Sequence, residues 1–133
     1  MTSKVVYLGN LRTECTHLKY DASFITDAPT DNNGKGEAFS PTDTVATALA
    51  SCMLTVMGIK AKSLEVNIED SYAEVTKVMT SNPRRISQIV IHFNMNVSID
   101  EKNKSILEHT ANTCPVHFSL HPDIKKEIVF NWK

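Results

Sequence analysis

Hydrophobic and polar positions fall into three short runs over the first thirty residues: 5–8, 13–18 and 23–26. Gly9-Asn10 and Lys19-Tyr20-Asp21 separate them, so the pattern predicts three short strands joined by turns. A polar stretch over 31–36 reads as an exposed loop. At Ser40-Pro41-Thr42-Asp43 the pattern changes. Ser40 offers a capping hydroxyl, Pro41 sits where the first helical N–H lacks a partner anyway, and Asp43 can reach back to the cap. Apolar residues then occupy nearly every face as far as Ile59. A helix apolar all round must be buried all round. One small sheet covers only one side, so the pattern predicts a second helix or a second copy of the chain on the other.

After Lys62 the period falls to two. Leu64, Val66 and Ile68 alternate with Glu65, Asn67 and Glu69, the signature of a half-buried strand. Ile89, Ile91, Phe93, Met95, Val97 and Ile99 repeat the pattern beyond a turn at Ser81-Asn82-Pro83, predicting two long antiparallel strands. Ser98-Ile99-Asp100-Glu101 caps another helix, with Leu107, Ala111 and Cys114 on one face. Pro115 interrupts it and opens a short helix, with Cys114 placed as its cap. A last strand puts Ile128, Phe130 and Trp132 on one side. This order predicts an α+β fold with antiparallel sheets in a single domain over residues 1–133.

Composition narrows the function. The 133 residues carry 14 Lys+Arg against 15 Asp+Glu, a formal net charge of −1. That balance argues against a nucleic-acid partner, which is held mainly by surplus basic charge. The longest uncharged stretch, 44–59, is short for a bilayer span, which takes roughly 20 apolar residues, so no membrane association is expected. Three cysteines without a signal-peptide pattern predict a cytoplasmic protein that keeps its thiols for packing or reactivity.

Cys52 lies about three turns inside the long helix. It is open to two readings, a small core side chain or a reactive thiolate. Burial alone raises a thiol pKa, so the second reading demands a nearby cation, and arginine suits because it stays charged when desolvated. Cys114 reads either as packing or as a helix-capping sulfur facing unpaired N–H groups. Cys114 and His117 have a C-x-x-H spacing, but with no second Cys/His pair no metal site is expected. No cofactor motif is present, and Cys15 reads as incidental.

The segment from Phe39-Ser40-Pro41-Thr42-Asp43 to Cys52-Met53-Leu54, followed by Cys114-Pro115-Val116, closely resembles the OsmC/Ohr family over essentially the whole chain. The resemblance implies an OsmC-like fold, in which antiparallel sheets wrap a long buried central helix in an intertwined homodimer. It implies a thiol-dependent peroxidase that reduces organic hydroperoxides to alcohols. Cys52 would become a sulfenic acid, and Cys114 would close a Cys52–Cys114 disulfide that an external dithiol reduces. The family pairs an N-terminal arginine with a carboxylate just after the helix-start proline. Carried over, the arginine is Arg12; Thr42 stands at the carboxylate position, with Asp43 beside it. The alternative is a non-catalytic redox sensor or apolar-ligand-binding member of the same family.

Overall fold

The computed structural model describes residues 1–133. The chain forms two compact units, Met1–Val45 and Ala46–Lys133.

In the first unit, β1 (Ser3–Gly9), β2 (Arg12–His17) and β3 (Ser23–Asp27) form an antiparallel sheet in that order. The turns fall where Gly9-Asn10 and Lys19-Tyr20-Asp21 predict them. Gly9, Asn10, Leu11 and Asp21 adopt positive φ there. The segment between β3 and the long helix holds only a short 3-10 turn at Thr30–Asn32. The sheet leaves Val5, Tyr7, Leu8 and Phe24 exposed.

The long helix α1 (Pro41–Ser63) starts with the predicted capping box. The Asp43 N–H donates to Ser40 Oγ and the Ser40 N–H donates to Asp43 Oδ2, each at 3.0 Å. Replacing Ser40 with alanine leaves one of these donors without its acceptor and is expected to cost about 1 kcal/mol in denaturant unfolding. By length and composition alone α1, at 23 residues, is long and apolar enough to cross a membrane, because it extends past the uncharged run at both ends and takes in Asp43, Lys60 and Lys62. In the second unit it is instead the core helix, burying Ala46, Leu49, Ala50, Met53, Met57 and Ala61.

Three features depart from the sequence expectations. First, α1 is not buried all round in the single chain: Val56 is half-buried and Ile59 is 69% exposed. Second, residues 64–70 form no strand. The Val66 N–H donates to the Ala61 carbonyl and the Glu65 N–H to the Lys62 carbonyl, with Glu65 at φ 56. That is a Schellman termination, and it tucks Val66 back against the core on which Leu64 and Ile68 also pack. The two-residue alternation is thus produced by a helix stop, and the strand β4 (Tyr72–Thr80) begins only afterwards.

Third, the second sheet is mixed. β4 pairs antiparallel with β5 (Arg85–Met95), as expected, but β6 (Lys125–Trp132) runs parallel to β5. The reason is the intervening crossover through α2 (Glu101–Ala111) and α3 (Pro115–Ser119), which brings the chain back to the same end of the sheet. The cap of α2 is Asp100 rather than Ser98, its carboxylate accepting from the Asn103 N–H at 2.9 Å. Ser87 is an extra residue in β5 that shifts its register against Val78 and Met79, so Ile86 faces the core along with Ile89, Ile91 and Phe93.

Candidate functional site

The second unit brings two thiols together. Cys52 is half-buried at the margin of the buried face of α1, next to the fully buried Met53. Cys114 is fully buried and continues the Leu107 and Ala111 stripe of α2 past the end of that helix. All three cysteines of the chain are free thiols.

Cys114 caps α3. Its extended backbone stops the preceding helix, Pro115 begins the next, and the His117 N–H donates to its sulfur at 3.3 Å. Burial pushes the Cys114 thiol up; the His117 N–H opposes this, and the neighbouring Cys52 thiol raises it further through direct side-chain interaction. The proton therefore stays on Cys114 at neutral pH. The His117 imidazole is pushed down by burial and, next, by the charge of Lys126, which leaves it neutral at that pH. No three His, Cys, Asp or Glu side chains converge as a metal site requires.

The first unit holds the other two predicted residues. Asp43 Oδ2 accepts from the Ser40 N–H in the capping box. Arg12 is gripped by Asp27: Nε donates to Oδ1 at 2.7 Å and Nη2 to Oδ2 at 2.8 Å. Glu37 adds a contact at 3.2 Å on Nη2. Asp27 is 2% exposed, and the Arg12 hydrogen bonds hold its carboxyl below the usual range against the opposing effect of burial.

Sequence reasoning missed Asp27, although a signal for it was present. Pairing the two runs about the Lys19-Tyr20 turn sets Arg12 directly opposite Asp27, the register observed. A depressed carboxylate contributes stability above its unfolded pKa, near 4, and loses that contribution as pH falls through the lower folded value. Asp27→Asn is accordingly expected to flatten the acid limb of the stability profile, measured by unfolding at a series of pH values.

Alongside the sheet runs a groove of about 470 Å³, lined by Val5, Cys15, His17, Ala22 and Phe24.

An α+β chain with a capped, buried thiol against a second thiol on a long core helix defines the class, and comparison places it. The chain belongs to the OsmC-like protein family, whose profile matches residues 34–129. A Psychrobacter arcticus protein, provisionally named for osmotic stress induction and a detoxification response, is 53% identical. The match covers 98% of this chain and 96% of that one at a TM-score of 0.96. An OsmC-like protein of Mycoplasma pneumoniae superposes at a TM-score of 0.81 with 17% identity over 98% of this chain and 94% of that one. The organic hydroperoxide resistance protein OhrB of Bacillus subtilis gives 0.67 with 16% identity over 98% of both chains. At such identities the last two share the fold alone. No curated protein matches the sequence.

Proposed function

We propose that this protein is a thiol-dependent peroxidase that reduces organic hydroperoxides to alcohols. The observation that carries the reading is the neighbouring Cys52 and Cys114 pair, whose side chains interact directly. Membership of the OsmC-like family and the hydroperoxide-resistance names of some structural relatives support it.

The Cys52 thiolate attacks the distal peroxide oxygen, the O–O bond breaks, and the departing alkoxide takes a proton to leave as an alcohol. Cys52 is then a sulfenic acid. The Cys114 sulfur attacks it; the S–O bond breaks, and the Cys114 proton leaves with the hydroxyl as water. An external dithiol reduces the resulting disulfide by two exchange steps, ending oxidised itself. Arg12 is the cation assigned to this reaction, and Arg12→Ala is expected to slow it. Such chemistry suits a reducing compartment such as the cytoplasm, where thiols are regenerated.

A homodimer is part of the proposal. Val5, Tyr7, Leu8 and Phe24 in the first unit, and Ile59 and Phe118 in the second, are exposed apolar side chains that a second copy would cover. Sedimentation at micromolar concentration is expected to show a dimer; a compact monomer contradicts this.

The enzymatic reading is tested by consumption of cumene hydroperoxide with a dithiol in excess. Multiple turnovers per protein chain are expected. The groove beside Cys15 favours one second reading, an apolar-ligand carrier of the same fold. A carrier or sensor would bind or oxidise once and then stop.

A further inference from the structure

We infer that one end of the second sheet carries a binding site for a small neutral saccharide, one pyranose ring in size, built on Tyr72, Asn94 and Asn131.

The three residues form a row across the sheet: Tyr72 lies opposite Asn94, and Asn94 opposite Asn131. The pleat puts their side chains on one face. Phe93 and Phe130, one position earlier on each strand, stack together on the core side, so Asn94 and Asn131 face the other way. Strands spaced about 5 Å apart make the row roughly 10 Å long, room for one sugar ring with its substituents. Past the row, the chain enters β4 beside Asp70 and leaves β5 at Asn96. The Asn96 N–H donates to Ser71 Oγ at 2.9 Å and its Nδ2 to the Glu69 carbonyl at 3.4 Å, which ties these two ends together as a rim. Row and rim line a cavity of about 300 Å³, at the small end of the range that holds ligands.

The fold makes no use of the row. The Asn94 amide is half-buried and bonds to no group of the chain, and the Asn131 amide and Tyr72 hydroxyl are likewise unbonded. A half-buried amide is costly to leave so, and a ligand or water must take it up. On the core face the contrast is plain: the Trp132 indole N–H is already taken by Glu108. The donor set selects the ligand. Each amide offers two donors and an acceptor, a match for adjacent hydroxyls that both donate and accept. The Tyr72 ring, 55% exposed and stacked on no other ring, offers an apolar surface for the C–H side of a sugar. Asp70 and Lys133 bring one charge of each sign to the lining, so nothing there favours an ionic ligand. Neither Cys52 nor Cys114 lines the cavity, and the inference does not depend on the proposed function.

The experiment is a proton–nitrogen NMR titration of the full chain with glucose, galactose and N-acetylglucosamine in turn, each up to about 100 mM. At least one sugar is expected to move the side-chain amide signals of Asn94 and Asn131 to saturation, with a Kd on the order of 1–10 mM for a single ring in an open cup. Asn131→Ala and Asn94→Ala are each expected to weaken binding about tenfold, the effect of losing one hydrogen-bonding group, while peroxide consumption stays at the parent rate. Tyr72→Ala should weaken it as much. Sorbitol, which has the hydroxyls without the ring, and cyclohexanol, which has the ring with one hydroxyl, should leave the signals nearly unmoved. The absence of a saturable shift with all three sugars overturns the inference. Sorbitol or cyclohexanol binding as well as the best sugar overturns it too, since ring face and hydroxyls would not be read together. Unchanged sugar affinity in Asn94→Ala places the site elsewhere and has the same consequence; should that variant not fold, Asn131→Ala, altered at an exposed position, decides the point.

Discussion

Cys52→Ser is expected to lose peroxide reduction by roughly a thousandfold or more, the loss typical of deleting a covalent nucleophile. A hydroxyl of near-identical size sits equally well at the margin of the α1 core face, so folding should persist while the chemistry stops. Sulfur is required because only a polarisable thiolate accepts the distal oxygen at a useful rate. Cys114→Ser should behave differently. The first oxidation proceeds and, with no second sulfur beside Cys52, a sulfenic acid accumulates and then over-oxidises. Cys15→Ser should leave the rate unchanged, since Cys15 belongs to β2 and has no part in the thiol pair. A stopped-flow series with all three variants checks the order. A Cys52→Ser protein that still consumed hydroperoxide at the parent rate would remove Cys52 from the mechanism.

Phe93→Ala is expected to cost about 3–5 kcal/mol in urea unfolding, a large fraction of the ~5–15 kcal/mol by which a domain is usually stable. Phe93 is fully buried on β5, the central strand of its sheet, and stacks on Phe130 with ring centroids 5.1 Å apart. Phe130 in turn stacks on Trp132, whose indole N–H donates to Glu108 of α2 at 2.8 Å. Truncation opens a cavity beneath this aromatic row, between strands that the ladder prevents from closing in. Glu74→Ala, on the exposed side of β4, is the comparison and should stay within about 0.5 kcal/mol of the parent. Equal midpoints for the two variants would show that the core does not lean on β5.

Much of this arrangement was legible in residue order because local chemistry determines it. The Ser40 and Asp43 box, the glycine and aspartate turns of the first sheet, and Cys114 ahead of Pro115 as a helix cap are short-range effects, and the structure places them where the pattern does. What escaped is what two signals share or what lies far apart in the chain. Period-two alternation after Lys62 serves a Schellman stop as well as a strand, and only the positive φ of Glu65 tells them apart. The parallel β5–β6 pair depends on where a crossover lands, which no single segment encodes. The apolar faces of α1 carry no mark of what covers each of them, so Ile59 reads as core yet lies exposed. At the site, the proximity of Cys52 and Cys114 came from family resemblance rather than spacing, because the two lie on elements that only the folded second unit joins. The partner of Arg12 escaped for the opposite reason. Family pattern pointed to position 42, where Thr42 stands with Asp43 beside it, while the plain cross-strand register pointed to Asp27.

The most direct test of the account is the redox state of the reduced protein after one equivalent of cumene hydroperoxide, read by peptide mass mapping without added thiol. The account predicts a single new species, a peptide pair joined through Cys52 and Cys114, with Cys15 still free to alkylate. Oxidation that left both of those sulfurs alkylatable, or that joined either of them to Cys15 instead, would contradict it.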